Sequence, residues 1–323
     1  MPHKPLCRRS LLAAGFFAPS ALSAWAQGGA FARWNRLAGL PTPRFLGPAV
    51  AALNGKLYVV GGMTRDGDVF APSNNLHEYD PAGGRWTGKA NMPTARRDLA
   101  VVAAGSAIYA LGGAEMDDGG LGSARVERFD TATQSWNVVA PMPTARCHLA
   151  AVSALGKILA IGGRQSDLAI EEYDPREDRW RRKANPPSAV PNPFAVAAGN
   201  QVLIIGAARN GKEDYSLVHR YDPAADSWTP AAPMPVARTD IAVAALGESV
   251  FVFGGWTPSG LSARVDRYDF AADLWIECDR MPRARSFAGA AAIGSKIYVV
   301  GGAVYVSKTS LAPIDDTEVF TPA

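Results

Sequence analysis

The sequence predicts an all-β fold made of one short unit written six times around a closed ring. Three observations predict it. Tryptophan recurs at Trp34, Trp86, Trp136, Trp180, Trp228 and Trp275, at spacings of 44 to 52 residues. Glycine pairs recur at Gly61-Gly62, Gly112-Gly113, Gly162-Gly163, Gly254-Gly255 and Gly301-Gly302, with Gly206-Ala207 as a degenerate sixth. Each pair follows an apolar run such as Lys56-Leu57-Tyr58-Val59-Val60, and an aromatic comes later: Tyr79, Phe129, Tyr173, Tyr221, Tyr268 or Phe320. Turn signals such as Asn54-Gly55, Gly156-Lys157 and Asp174-Pro175 cut each unit into four short β-prone runs.

Glycine pair, tyrosine and tryptophan at fixed offsets resemble the kelch repeat, and the resemblance covers nearly all of residues 31–323. It implies a six-bladed β-propeller with four-stranded antiparallel blades, a ring whose strand edges stay short and protected.

Within each unit the offsets are rigid. Each Trp stands ten residues before the next Arg position, which holds Arg44, Arg96, Arg146, Arg238 and Arg285, with Val190 the exception. Each aromatic stands seven residues before its Trp in the five units where both occur. The large length variation lies between the glycine pair and the aromatic, which stands 10 to 18 positions after the pair's second residue. In a four-stranded meander that segment holds the loop between strands two and three. One face of the ring is therefore uniform, and the other carries variable loops, where binding tends to reside. The last unit stops at Phe320 without its Trp. Trp34 fits that vacancy, so the N-terminal strand is expected to pair into the last blade and close the ring.

Residues common to every blade belong to the scaffold. The repeated Trp and Arg positions are read as structural, the Arg bonding backbone carbonyls and aromatic faces. Asp80, Asp130, Asp174, Asp222 and Asp269 follow the aromatics and suit turn initiation. His77 and His219 stand two residues before their Tyr and are read as structural too. Candidates for function lie where the blades differ. Two residues after the Arg position stand Leu46, Asp98, His148, Asn192, Asp240 and Phe287; beside them stand Phe45, Arg97, Cys147, Pro191, Thr239 and Ser286. Side chains alternate along a strand, so one of these two rings faces the channel. Asp98, His148 and Asp240 are the candidate acid–base groups, because carboxylates near a histidine do such work when their pKa values are pushed apart. Arg97, Asp98, His148, Asn192, Asp240 and Ser286 are candidate ligand contacts, with Trp256 on the variable face as a stacking platform. The Pro-rich fourth unit, with Val190 in place of Arg, is expected to open a notch in the rim. Glu115, Asp117 and Asp118 form an acidic loop that lacks EF-hand spacing.

Residues 1–26 read as an export signal and residues 27–323 as the propeller. Lys4, Arg8 and Arg9 precede an apolar run from Leu11 to Leu22, and Ala24-Trp25-Ala26 offers a cleavage site. Arg8-Arg9-Ser10-Leu11-Leu12 resembles a twin-arginine signal, departing from it at Cys7, Leu11 and Ala13. The expected location is periplasmic or secreted, with no transmembrane anchor after signal removal. The whole formal charge of +3 resides in that segment, and the rest holds 30 bases and 30 acids. A neutral body argues against nucleic acid as a partner. Cys147 and Cys278 are expected to stay unpaired.

Walker, zinc and Gly-x-Ser-x-Gly motifs are missing from the sequence. The reading is therefore a monomeric, non-catalytic binding module for a protein, peptide or glycan, with no metal and no cofactor. The alternative is a cofactor-free sugar mutarotase or epimerase, resembling the periplasmic kelch-type sialic acid mutarotases. In that case Arg97 meets an anionic group.

Overall fold

A computed structural model describes residues 33–44, 49–66, 69–116, 121–165, 168–209, 212–305 and 310–322. The expected signal at 1–26, Leu46, Asp117 and Asp118 lie outside them. Six four-stranded antiparallel sheets form the blades. Blade one runs from its innermost strand Ala49–Leu53 through Lys56–Val60 and Leu76–Asp80 to Arg85–Gly88. Blades two to five repeat this order from Ala100–Ala104, Ala150–Ala154, Phe194–Ala198 and Ala242–Leu246. The sixth begins at Gly289–Ile293 and takes Arg33–Arg36 as its outermost strand, paired with Thr317–Thr321 in the register Trp34↔Phe320. The ring is closed by the N-terminal strand, as the missing tryptophan predicts.

Each innermost strand touches those of the two neighbouring blades, so the six surround one axial channel. Blades converge there, which explains the run of alanines in strands such as Ala49–Leu53 and Gly289–Ile293. The apolar core is split into six layers, each between adjacent blades; Ile158 and Tyr173 of blade three, for example, pack with Tyr109 and Leu111 of blade two.

Three contacts repeat around the ring. The first is a tryptophan clasp. Trp86, Trp136, Trp180, Trp228 and Trp275 donate Nε1–H to the carbonyls of Ala38, Ala90, Ala140, Ala184 and Ala232 at 2.8–3.1 Å. Trp34 completes the set on Asp279 at 3.5 Å. The second comes from the glycine pair. Its second residue donates N–H to the carbonyl at the next blade's Arg position, as Gly113 does to Arg146 at 3.0 Å and Gly302 to Arg44 at 3.2 Å. The first glycine holds φ +58° at Gly112, where a Cβ would lie 2.5 Å from the Arg146 carbonyl oxygen, so only glycine fits. In blade four a register shift between Ile205 and Ala207 replaces this arrangement.

The third contact is the buried arginine. Arg44, Arg96, Arg146, Arg238 and Arg285 are at most 1% exposed. They donate to backbone carbonyls, as expected: Arg146 reaches Gly162 at 3.2 Å and Ala169 at 3.1 Å. In place of the expected aromatic faces, Arg44 meets His77 Nδ1 and the other four meet carboxylates. Arg96 pairs with Glu127 at 2.7 Å and Arg146 with Glu171 at 2.6 Å, while Arg238 pairs with Asp266 and Arg285 with Glu318. Each acid stands two residues before the repeat aromatic. The turn aspartates behave as read: Asp80, Asp130, Asp174, Asp222 and Asp269 each accept from the backbone N–H two residues on. Among the described residues, no helix is long and apolar enough to cross a membrane.

Candidate functional site

The residues two positions after each buried arginine meet at one end of the axial channel. Asp98, His148, Asn192, Asp240 and Phe287 line a cavity of about 230 Å³ there. Its walls come from the start of the inner strands and the residues just before them, among them Leu149, Pro193, Phe194 and Ile241. A further alanine- and valine-lined space of about 270 Å³ continues along the axis.

Backbone geometry decides which ring faces the channel. Asp98, His148, Asp240 and Phe287 hold φ between +53° and +56°, the left-handed region. Asp and His tolerate it better than most residues, whereas Phe287 carries strain on the order of 1–3 kcal/mol. Backbone bonds lock the turn between blades: His148 N–H donates to Asp98 at 2.9 Å, and Phe287 N–H to Asp240 at 2.8 Å. The neighbouring ring is held aside. Arg97, Cys147, Thr239 and Ser286 form backbone bridges to Ala114, Arg164, Trp256 and Ala303, just beyond the glycine pairs. The ring of Asp98, His148, Asn192, Asp240 and Phe287 is therefore the lining one. Asn192 lacks the left-handed turn; its blade carries Val190 in place of arginine, and its amide points 3.5 Å from Thr239 Oγ1.

Around Asp98 the polar groups are coupled. The Arg97 guanidinium donates to Asp98 Oδ2, and His148 Nε2 lies 3.6 Å from the same oxygen. His148 Nδ1 lies 3.3 Å from Cys147 Sγ, which is consistent with a thiol donor on that side. Burial holds His148 below the usual histidine range; Arg164 and Arg97 push the same way, and Asp98 opposes them. The imidazole is thus neutral at pH 7. A neutral imidazole beside a carboxylate can accept or relay a proton, or hold a polar ligand group.

The remaining candidates are dispersed. Ser286 is 1% exposed, outside the cavity lining, and its hydroxyl has no hydrogen-bond partner among the described residues. Trp256 is half-buried and packs on Tyr305 of the next blade's loop, with ring centroids 5.3 Å apart. Neither Cys147 nor Cys278 forms a disulfide. Among the described residues, no three His, Cys, Asp or Glu side chains are grouped to hold a metal ion.

Two features of the site have no counterpart in the sequence reading. Phe194 of blade four adds an aromatic wall to the cavity. The rim above is apolar: Val69, Phe70, Met116, Leu121, Leu168 and Tyr305 are 36–67% exposed, all on loops between a glycine pair and its aromatic. The variation in loop length was the signal for the face, and its apolar tips could have been read from the same segments.

Comparison with known proteins agrees with this architecture. The KLHDC2/KLHL20/DRC7 Kelch-repeats domain model matches residues 47–255, and the Kelch motif model matches residues 237–282. Beta-scruin of Limulus polyphemus is 32% identical over 91 residues, 27% of this chain and 10% of that protein. Kelch repeat and BTB domain-containing protein 12 of Homo sapiens is 35% identical over 85 residues, 25% of this chain and 14% of that protein. N-acetylneuraminate epimerase of Pasteurella multocida (strain Pm70) is 36% identical over 84 residues, 25% of this chain and 22% of that protein. The chain thus spans between a tenth and a quarter of the length of these relatives. With its glycine-pair, aromatic and tryptophan register repeated blade by blade and a family model across most of the ring, the chain belongs to the kelch-repeat family.

Proposed function

We propose that this propeller is a binding module that holds a protein or peptide partner on its variable-loop face, over the channel mouth. One observation carries the reading. Ten large apolar side chains are exposed among the described residues, and six of them crown the loops around the polar mouth. Clustered exposed apolar surface marks interaction sites, and a polar centre inside it supplies specificity. Peptide display on the immobilised protein tests the proposal. The wild type is expected to enrich a defined motif, and Phe70→Ser with Tyr305→Ser is expected to lower affinity for it at least tenfold. Undiminished binding by that variant would place the site elsewhere.

A second reading rests on the Asp98–His148 approach and on the similarity to a protein named N-acetylneuraminate epimerase. Under it the mouth binds a sugar, and Asp98, His148 and Asp240 transfer protons during anomer exchange. Anomerisation of N-acetylneuraminate followed by NMR decides it. Equal rates in the wild type and in Asp98→Asn with Asp240→Asn would remove that role. We also propose export, with cleavage after Ala26; N-terminal sequencing of the periplasmic fraction is expected to begin at Gln27.

A further inference from the structure

We propose that the mouth receives one aromatic side chain of the partner, packed on the ring of Phe287. The inference rests on the peptide-binding reading above and names the residue that sets its specificity. Asp98, His148, Asp240 and Phe287 share a left-handed backbone, with φ from +53° to +56°. Asp and His are enriched in that region, whereas a bulky apolar residue is an outlier there. The turn itself uses only main-chain atoms: Phe287 N–H donates to the Asp240 carbonyl at 2.8 Å, as His148 N–H does to that of Asp98 at 2.9 Å. Asparagine, aspartate or glycine would make the same turn with less strain. A strained residue at a cavity points to a role for its side chain.

Packing within the blades gives no such role. Phe287 belongs to none of the six apolar layers between blades, although Ala288 and Ala290 pack on one of them. Phe194, the other phenylalanine of the mouth, packs on the layer between blades four and five. The Phe287 ring is only half-buried, and it meets no other aromatic ring among the described residues. What it does line is the cavity.

The cavity of about 230 Å³ lies below the roughly 300–1,000 Å³ of sites for drug-sized ligands. It suits a single side chain. Blades three and six stand opposite one another around the axis, so His148 and Phe287 wall the mouth from two sides. Leu149, Pro193 and Ile241 add apolar wall between them. A flat ring entering this space meets a phenyl ring and a neutral imidazole. Offset or edge-to-face packing of rings adds to what burial alone supplies.

The experiment pairs a stability measurement with a binding cycle. Phe287→Asn keeps the left-handed turn and the N–H donor and removes the ring. It is expected to melt no lower than the wild type, since backbone strain is relieved. Its affinity for the display-selected peptide is expected to fall at least tenfold, and Phe287→Tyr, which keeps a ring, to bind within a few-fold of the wild type. The selected motif is expected to hold one invariant aromatic residue. Replacing that residue by alanine is expected to cost at least tenfold with the wild type and little with Phe287→Asn, the coupling that marks a direct contact. Melting several degrees lower in Phe287→Asn would make the ring a structural part of the blade and overturn the proposal, whatever the peptide does. Undiminished binding by that variant, or a motif without an aromatic, would also overturn it and leave the peptide-binding face standing. If no peptide is enriched at all, both readings fall.

Discussion

His77 and Arg44 show how one position sets a local charge rule. The guanidinium can only donate, so His77 Nδ1, its partner, must offer a lone pair. Burial, and then Arg44, push the His77 pKa down to about 4. In the unfolded chain the group titrates near 6.5. Between these values the unfolded state binds more protons, so stability falls as pH drops through the window. The gap corresponds to about 3 kcal/mol at most. Urea unfolding from pH 7.5 to 4 is expected to show a steeper loss for the wild type than for His77→Gln, which keeps an acceptor but does not titrate. Parallel curves would contradict the assignment. At this scale the sequence was only half legible. The arginine register stood out because five of six units share it. The acids Glu127, Glu171, Asp266 and Glu318 were harder to see, since their position also holds His77 and His219. The mouth ring required backbone angles, because only a left-handed turn at Asp98 and His148 selects which of two adjacent residues faces the axis.

The blade is the element, and its buried arginine–acid pair varies from blade to blade: blade one keeps Arg44 and puts His77 in the acid's place. Blade four lacks both members: Val190 stands for the arginine, and His219 for the acid. Losing the arginine alone would strand a carboxylate in the interior. Arg146→Val would leave Glu171 buried beside Ala160 and Ala169, at a cost of about 3–5 kcal/mol. Adding Glu171→His copies the blade-four pair and is expected to recover at least half of that loss in urea unfolding. A double variant no more stable than the single one would show that the exchange is not what keeps blade four folded. Blades also share a tyrosine staple. Tyr173, Tyr221 and Tyr268 donate to Asp178, Asp226 and Asp273, which also accept N–H from the preceding blade's Ala140, Ala184 and Ala232. Where Phe129 replaces tyrosine, Gln134 stands at the aspartate's position. Strand order and period were legible because glycine and tryptophan meet steric demands that recur in every blade. The hairpins Met63–Asp66 with Val69–Pro72 and Trp256–Thr257 with Gly260–Leu261 were not, since loops of unequal length share no register.

At the scale of the molecule, closure and the candidate site occupy different parts of the ring. Trp34 on Asp279 and the pairing of Arg33–Arg36 with Thr317–Thr321 build the last blade like the others, and Gly302 on Arg44 repeats the glycine contact made at four of the other five junctions. Six-fold regularity then supports a mouth with no such symmetry: Asp98 and His148 on two neighbouring blades, Asn192 and Asp240 on the next two, and Phe287 beyond. The central claim is that a partner docks on the variable loops around this mouth. Hydrogen exchange of the propeller with and without a display-selected peptide tests it most directly. Slowed exchange is predicted in residues 69–75, 96–99, 256–264 and 310–316, with the opposite-face turns at 81–84, 131–134 and 175–178 unchanged. Protection confined to those turns, with the variable loops unaffected, would contradict it.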